Sequence, residues 1–153
     1  MELVDSKQKK LNAFEIFSIA LANTGSKYPV QVAMPAILHE FKQKNSEFVR
    51  LGNTIFLVHK GKDGNGFFKA YNADTARNFL ESCRKFVVIA FRKMKMDYLV
   101  TEFQSPALER LFAAASKNFP MPNMAYKMYK GKNTGATRVV LKLGDRKKHG
   151  RSS

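Results

Sequence analysis

The residues of this chain best equipped for chemistry are its cations. Lys127, Lys130, Lys132, Arg138 and Lys142 gather around Tyr129 near the end of the sequence, and Arg146, Lys147, Lys148 and Arg151 follow them. Cations along one short segment can meet successive phosphates, and an aromatic ring among them offers a face for stacking a base. That is the chemistry of nucleic-acid backbone binding. The plainer reading is an evenly solvated basic surface that serves solubility. A second basic group, Arg77, Arg84 and Lys95 with Arg92 nearby, recurs at helical spacing.

Other reactive residue types carry less. Cys83 lies within a helical apolar stripe, as a buried structural thiol does. His39, His59 and His149 stand apart, with no Cys or carboxylate at metal-ligand spacing, so no metal site is read. Gly61, Gly64 and Gly66 have the look of a phosphate loop. They fall between two predicted antiparallel strands rather than before a helix, which makes them turn chemistry.

The totals narrow the class. The 153 residues are 44% hydrophobic with thirteen Phe and five Tyr, a globular composition that reads as one domain. One cysteine excludes an internal disulfide and fits a reducing compartment. No apolar run approaches the ~20 residues of a membrane span, and Met1 to Lys7 lack a signal peptide's apolar segment. The expectation is a soluble, cytoplasmic protein with no membrane partner. Twenty-seven Lys and Arg against twelve Asp and Glu give +15, which favours nucleic acid or an acidic protein surface as partner.

The elements that must carry these residues can be read in order. Residues 1–11 form a flexible lead, 12–143 the domain and 144–153 a basic tail. Asn12 caps a helix with Phe14, Phe17 and Leu21 inward, stopped at Thr24-Gly25. A second helix holds Met34, Ile37, Leu38 and Phe41, with Pro35 in its first turn. Strands follow at 47–51 and 54–59, joined by the tight turn Gly52-Asn53, and at 66–71. From Ala76 to Met94 the apolar residues keep an i, i+3, i+4, i+7 series, which predicts one helix over 76–95. A strand at 98–103 should lie parallel to 66–71. Ser105-Pro106 starts another helix, and 124–129 with 137–143 make a closing hairpin.

This order resembles the GNAT acetyltransferase fold: an α/β (α+β) mixed sheet with an antiparallel meander, one parallel βαβ unit, a C-terminal hairpin and helices on both faces. It is most similar to the small, diverged acetyltransferase-like proteins of tailed bacteriophages, several of them virion-associated. The family holds the acyl-CoA pyrophosphate on an Arg/Gln-x-x-Gly-x-Gly/Ala turn before its long helix. Here that position is Tyr71-Asn72-Ala73-Asp74-Thr75-Ala76-Arg77, without glycine. Asp74 stands where the phosphates would lie, where its carboxylate would cap the helix and repel a dianion. The resemblance places a general base in the cleft between the parallel strands, for which Glu102 and Glu47 are candidates, and a general acid for which Tyr126 is one, with Tyr129 beside it. A solvated or ion-paired strand carboxylate and a packing Tyr are the plainer readings.

Taken together, the sequence reads as a small basic acetyltransferase-like protein, catalytically degenerate, that binds nucleic acid or acts within a phage nucleoprotein or virion assembly. No cofactor is expected on that reading. The alternative is an N-acyltransferase that takes acetyl-CoA and an amine acceptor. A further alternative is an inhibitor or modulator of a host protein.

Overall fold

The computed structural model of the protein describes residues 9–23, 28–103, 110, 113–114, 124–130 and 137–143. Helix α1 spans Ala13–Asn23. Asn12 opens it with a reciprocal capping box: Glu15 N donates to Asn12 Oδ1 at 2.8 Å, and Asn12 N donates to Glu15 Oε1 at 3.0 Å. Its buried face is Ile16, Phe17 and Ala20. Phe14, expected inward, lies about 110° round from that seam at 3.6 residues per turn and is 46% exposed.

Helix α2, Val30–Phe41, begins after Pro29, so Pro35 falls inside it rather than in its first turn. Proline has no N–H to give the Gln31 carbonyl; Gln31 is exposed, and water can take that place. Ile37 is buried, with Met34 and Phe41 packed beside it, whereas Leu38 turns away and is exposed.

Strands β1 (Ser46–Leu51), β2 (Thr54–Lys60) and β3 (Asn65–Asn72) form the expected meander. Gly52 supplies the positive φ of 60° that the two-residue β1–β2 turn requires. The glycine-rich connection from β2 to β3 is a single 3₁₀ turn, Lys62–Gly64, with Gly64 at φ 77°. It is turn chemistry, as read.

Helix α3 runs Ala76–Val88 and continues through a π-helical turn, Ile89–Lys93. The predicted helix over 76–95 therefore widens in its last turn and ends two residues early. Met94 N reaches Ile89 O at 3.0 Å, Met96 N reaches Ala90 O at 3.1 Å, and Lys95 takes φ 59° as the chain leaves the helix.

Strands β4 (Tyr98–Phe103), β5 (Met124–Lys130) and β6 (Thr137–Leu143) complete a six-stranded sheet in the order β1-β2-β3-β4-β6-β5. Among the described residues only the β3–β4 pair is parallel. Helices lie on both faces. On one, α3 buries Phe79, Cys83, Phe86, Val87, Ala90 and Phe91 against Val49, Phe56, Val58, Phe68, Leu99 and Leu141. Phe86 stacks on Phe56 with centroids 4.3 Å apart and a 5° tilt, and Phe68 closes on it at 5.0 Å. On the other face, Ile16, Phe17 and Ile37 cover Ile55 and Tyr71. Thirteen residues of helix whose apolar stripe meets β1–β4 and β6 explain why this order of elements closes one core. The helix expected from Ser105 lies almost wholly outside the described residues, and the basic tail lies outside them too.

Candidate functional site

The loop from β3 into α3 would hold a nucleotide's phosphates in an acyl-CoA enzyme of the resembled type. Here its polar groups are turned to one another. Asn72 Oδ1 accepts from Asp74 N at 3.0 Å and from Thr54 Oγ1 at 2.7 Å. Asp74 Oδ2 accepts from Asn53 N at 2.8 Å, and Ala73 N donates to Asn53 O at 3.0 Å. The helix cap is Thr75, whose side chain accepts from Asn78 N at 3.3 Å. This corrects the expectation that Asp74 caps α3. The difference is one of reach: the buried Asn53 amide stands closer to the carboxylate, and the next residue fills the cap.

Asn53 is itself the centre of a junction. Its Oδ1 accepts from Leu11 N at 3.0 Å and Arg50 Nη2 at 2.9 Å, and its Nδ2 donates to Lys9 O at 2.8 Å. Arg50 Nη2 also donates to Leu11 O, and Arg50 Nε to Gly52 O at 2.9 Å. The segment before α1, the β1–β2 turn and the loop before α3 are thus tied into one unit. Burial pushes the Asp74 carboxyl above its ordinary value, against the pull of Asn53, Thr54 and the Arg50 charge. Neither Asn72, Ala73, Asp74, Thr75 nor Ala76 supplies the glycine that lets a backbone approach a pyrophosphate closely.

Next to this loop the parallel strands part. Pairing of β3 with β4 runs from Asn65↔Tyr98 to Phe67↔Val100 and stops there. At the fork the buried Thr101 hydroxyl donates to Phe68 O at 2.7 Å, satisfying the first carbonyl beyond the ladder. Side chains of a strand alternate faces, and directly opposed residues share one. Leu99, Thr101 and Leu141 are buried on the α3 face, so Glu102, one residue on, belongs to the opposite face, where it is exposed. Tyr126 stands opposite Leu141 and therefore takes the α3-side register. Glu102 and Tyr126, read as a base and acid pair, are set on opposite faces of the sheet. Glu47 lies on the edge strand, exposed and ion-paired with Lys60, two strands from the fork.

Cys83 is fully buried, and burial pushes its thiol far up, which leaves no thiolate for nucleophilic work. His59, read as isolated, is not. Its Nδ1 meets Ser46 Oγ at 2.8 Å, its cross-strand neighbour, and its Nε2 meets Glu40 Oε2 at 3.4 Å. Hydroxyl, imidazole and carboxylate in that order are the arrangement hydrolases use. Lys69 Nζ, however, holds both Glu40 oxygens at 2.9 Å, and Ser46 N is committed to Gln43 O. The group pins α2 to the sheet. Burial raises the Glu40 carboxyl, but Lys69 and His59 together outweigh it and hold it below the ordinary value. The neighbouring Tyr71 phenol is pushed up to about 12 by burial and by the Glu40 charge. Extending the 47–51 and 54–59 strands by one pair would have set Ser46 opposite His59, but no local pattern signals the arrival of Glu40 from α2. Among the described residues no cluster of His, Cys, Asp or Glu could hold a metal, and no helix is long and apolar enough to cross a membrane.

The basic residues divide by register. Lys127 stands opposite Val140, Arg138 opposite both Glu102 and Tyr129, and Lys142 opposite both Tyr98 and Ala125. All of these belong to the face away from α3. Lys130 stands opposite Thr137, on the α3-side register. Lys132, Arg146, Lys147 and Lys148 lie outside the described residues. On α3, Arg84 is ion-paired with Glu81 at 2.7 Å, Arg77 and Arg92 are exposed, and Lys95 has left the helix.

Protein-family models and curated protein sequences give no match to this chain. Solved structures do. A variant of the spermidine N-acetyltransferase SpeG from Vibrio cholerae superposes with a TM-score of 0.52 at 8% identity, over 95% of this chain and 98% of that one. The Campylobacter jejuni N-acetyltransferase PseH, in complex with acetyl coenzyme A, gives 0.51 at 12% identity, over 86% and 92%. A GNAT-family acetyltransferase from Bacillus anthracis gives 0.50 at 11%, over 86% and 90%. At such identities a likeness speaks for the path of the chain alone, and on that ground the protein has the GNAT acetyltransferase fold.

Proposed function

We propose that this protein is a non-catalytic binder of polyanions on an acetyltransferase scaffold, with the sheet face of the closing hairpin as its contact surface. The register that sets Lys127, Arg138 and Lys142 on one face, beside Tyr129, carries this reading. The +15 charge supports it as the long-range attraction that brings a polyanion to that face. The tying of Asp74 to the β1–β2 turn supports the other half: a loop occupied by its own contacts, without glycine, does not cradle a pyrophosphate. Nucleic acid is the partner favoured by this chemistry, and an acidic protein is its competitor. Assembly within a phage nucleoprotein particle is the setting the family resemblance brings to it.

The test is fluorescence anisotropy with labelled nucleic acid at graded salt. Three phosphate contacts predict a log–log salt slope of roughly 2–3, at about 0.7–0.9 per contact. Neutralising Lys127, Arg138 and Lys142 together should abolish most of that slope. Absence of binding at low salt, or an affinity that ignores salt, would reject the proposal.

The second reading is an N-acyltransferase using acetyl-CoA on an amine. Two observations favour it: the fold, and the fork where β3 and β4 part beside the α3 N-terminus. It would give Glu102 the role of base and Tyr126 that of acid. The opposite registers of those two residues weigh against their acting on one substrate. Transfer of an acetyl group to any amine, lost on Glu102→Gln, would establish it over the first.

A further inference from the structure

We infer that the polyanion is single-stranded nucleic acid, laid lengthwise along the β5–β6 hairpin on the face away from α3. This rests on the polyanion-binding reading and names its ligand. Arg138 and Lys142 are four residues apart on β6, about 13 Å at 3.3 Å per residue. Lys127 stands opposite Val140, midway between them on the adjoining strand. The cations therefore step by about 7 Å along the hairpin in a single file one strand spacing wide. That file follows one sugar-phosphate backbone. Among the described residues there is no second, separate row that would straddle a duplex groove roughly 6–12 Å across.

Aromatic residues bracket the file. Tyr129 stands opposite Arg138 at one end, and Tyr98 opposite Lys142 at the other. A ring on a sheet face can accept a base only when that base is out of the helical stack, as in a single strand. Among the described side chains, this face is less buried than the one under α3. Tyr98, Val100 and Val140 are half-buried and Glu102 is exposed, whereas Leu99, Thr101 and Leu141 beneath α3 are buried. Among the described residues, the cluster under α1 and α2 contains none from β4. Glu102, opposite Arg138, is the one carboxylate that the described register puts on this part of the face, and it opposes an incoming phosphate.

The experiment compares a labelled single-stranded oligonucleotide of mixed sequence with the same strand annealed to its complement, on the full chain. Single-strand affinity should exceed duplex affinity at least about tenfold. Tyr129→Ala should weaken single-strand binding by about 5–100-fold while leaving the salt slope unchanged. Lys127→Ala should lower the slope by about 0.7, whereas Lys130→Ala, on the opposite register, should leave it within error. Glu102→Gln should tighten binding. Circular dichroism on each variant separates lost contact from lost fold. Equal or tighter duplex binding, or equal effects of Lys127→Ala and Lys130→Ala, overturns the inference while the polyanion reading stands. Failure to bind either nucleic acid overturns both.

Discussion

Replacing Asp74 by Ala removes the acceptor that holds the β1–β2 turn to the loop before α3. Asn53 is 2% exposed, and its N–H donates to Asp74 Oδ2 at 2.8 Å, so the substitution leaves a buried donor without its acceptor. Thr54 loses less, because its hydroxyl keeps Asn72 Oδ1 at 2.7 Å. A hydrogen bond to a charged group, with desolvation of the orphaned partner, is worth about 1–3 kcal/mol. At about 2–4 °C per kcal/mol for a chain of this size, Tm should fall by roughly 2–12 °C. Asp74→Asn keeps an acceptor oxygen and removes the charge, so it should stay near wild type. The pair also separates in pH. The folded carboxyl is raised above 3.8, chiefly by burial, so the folded state keeps its proton at a pH where the unfolded chain has released it. Stability from this group therefore falls as pH rises from the ordinary value through the raised one, then levels. Asp74→Asn should remove that slope. Thermal unfolding followed by circular dichroism reads both effects. An unchanged Tm in Asp74→Ala, or an equal loss in Asp74→Asn, would refute the reasoning.

Three further outcomes follow from the packing and the charges. Phe86→Ala empties the stack between Phe56 and Phe68 and should cost about 3–5 kcal/mol in chemical denaturation, with little change in the slope against denaturant. Glu40 is held below its ordinary 4.5 in the folded state, so its contribution is complete above that pH and is lost as pH falls through the lowered value; Glu40→Gln should flatten acid unfolding there. Asn53→Ala breaks the side-chain contacts with Lys9, Leu11 and Arg50 at once and should raise amide exchange at Leu11 before global unfolding is reached.

What the sequence revealed followed from period. The stripe from Phe79 to Phe91, the near-continuous apolar run of β2 and the Gly52-Asn53 turn each obey a local rule, and each element stands where that rule puts it. Pro35 and Phe14 did not, because helix start and seam depend on what the helix packs against: α2 begins at Val30, five residues before its proline. The end of α3 was hidden for the same reason, since an i, i+3, i+4 pattern does not distinguish an α from a π turn. The site was less legible still. Asp74 was visible as a carboxylate in the wrong place for phosphate, but its partner Asn53 comes from a hairpin 21 residues earlier. The separation of Glu102 from Tyr126 depends on the register of β4 with β6 and of β6 with β5, which composition does not encode.

On the proposed function, the loop before α3 serves as a structural tie and not as a pyrophosphate cradle. Calorimetric titration of acetyl-CoA into the wild-type protein tests it most directly. No saturable heat is expected at micromolar concentrations, because Asp74 and the missing glycines leave no cradle for the pyrophosphate. A one-site isotherm with a micromolar Kd would contradict it and move the protein to the acyltransferases.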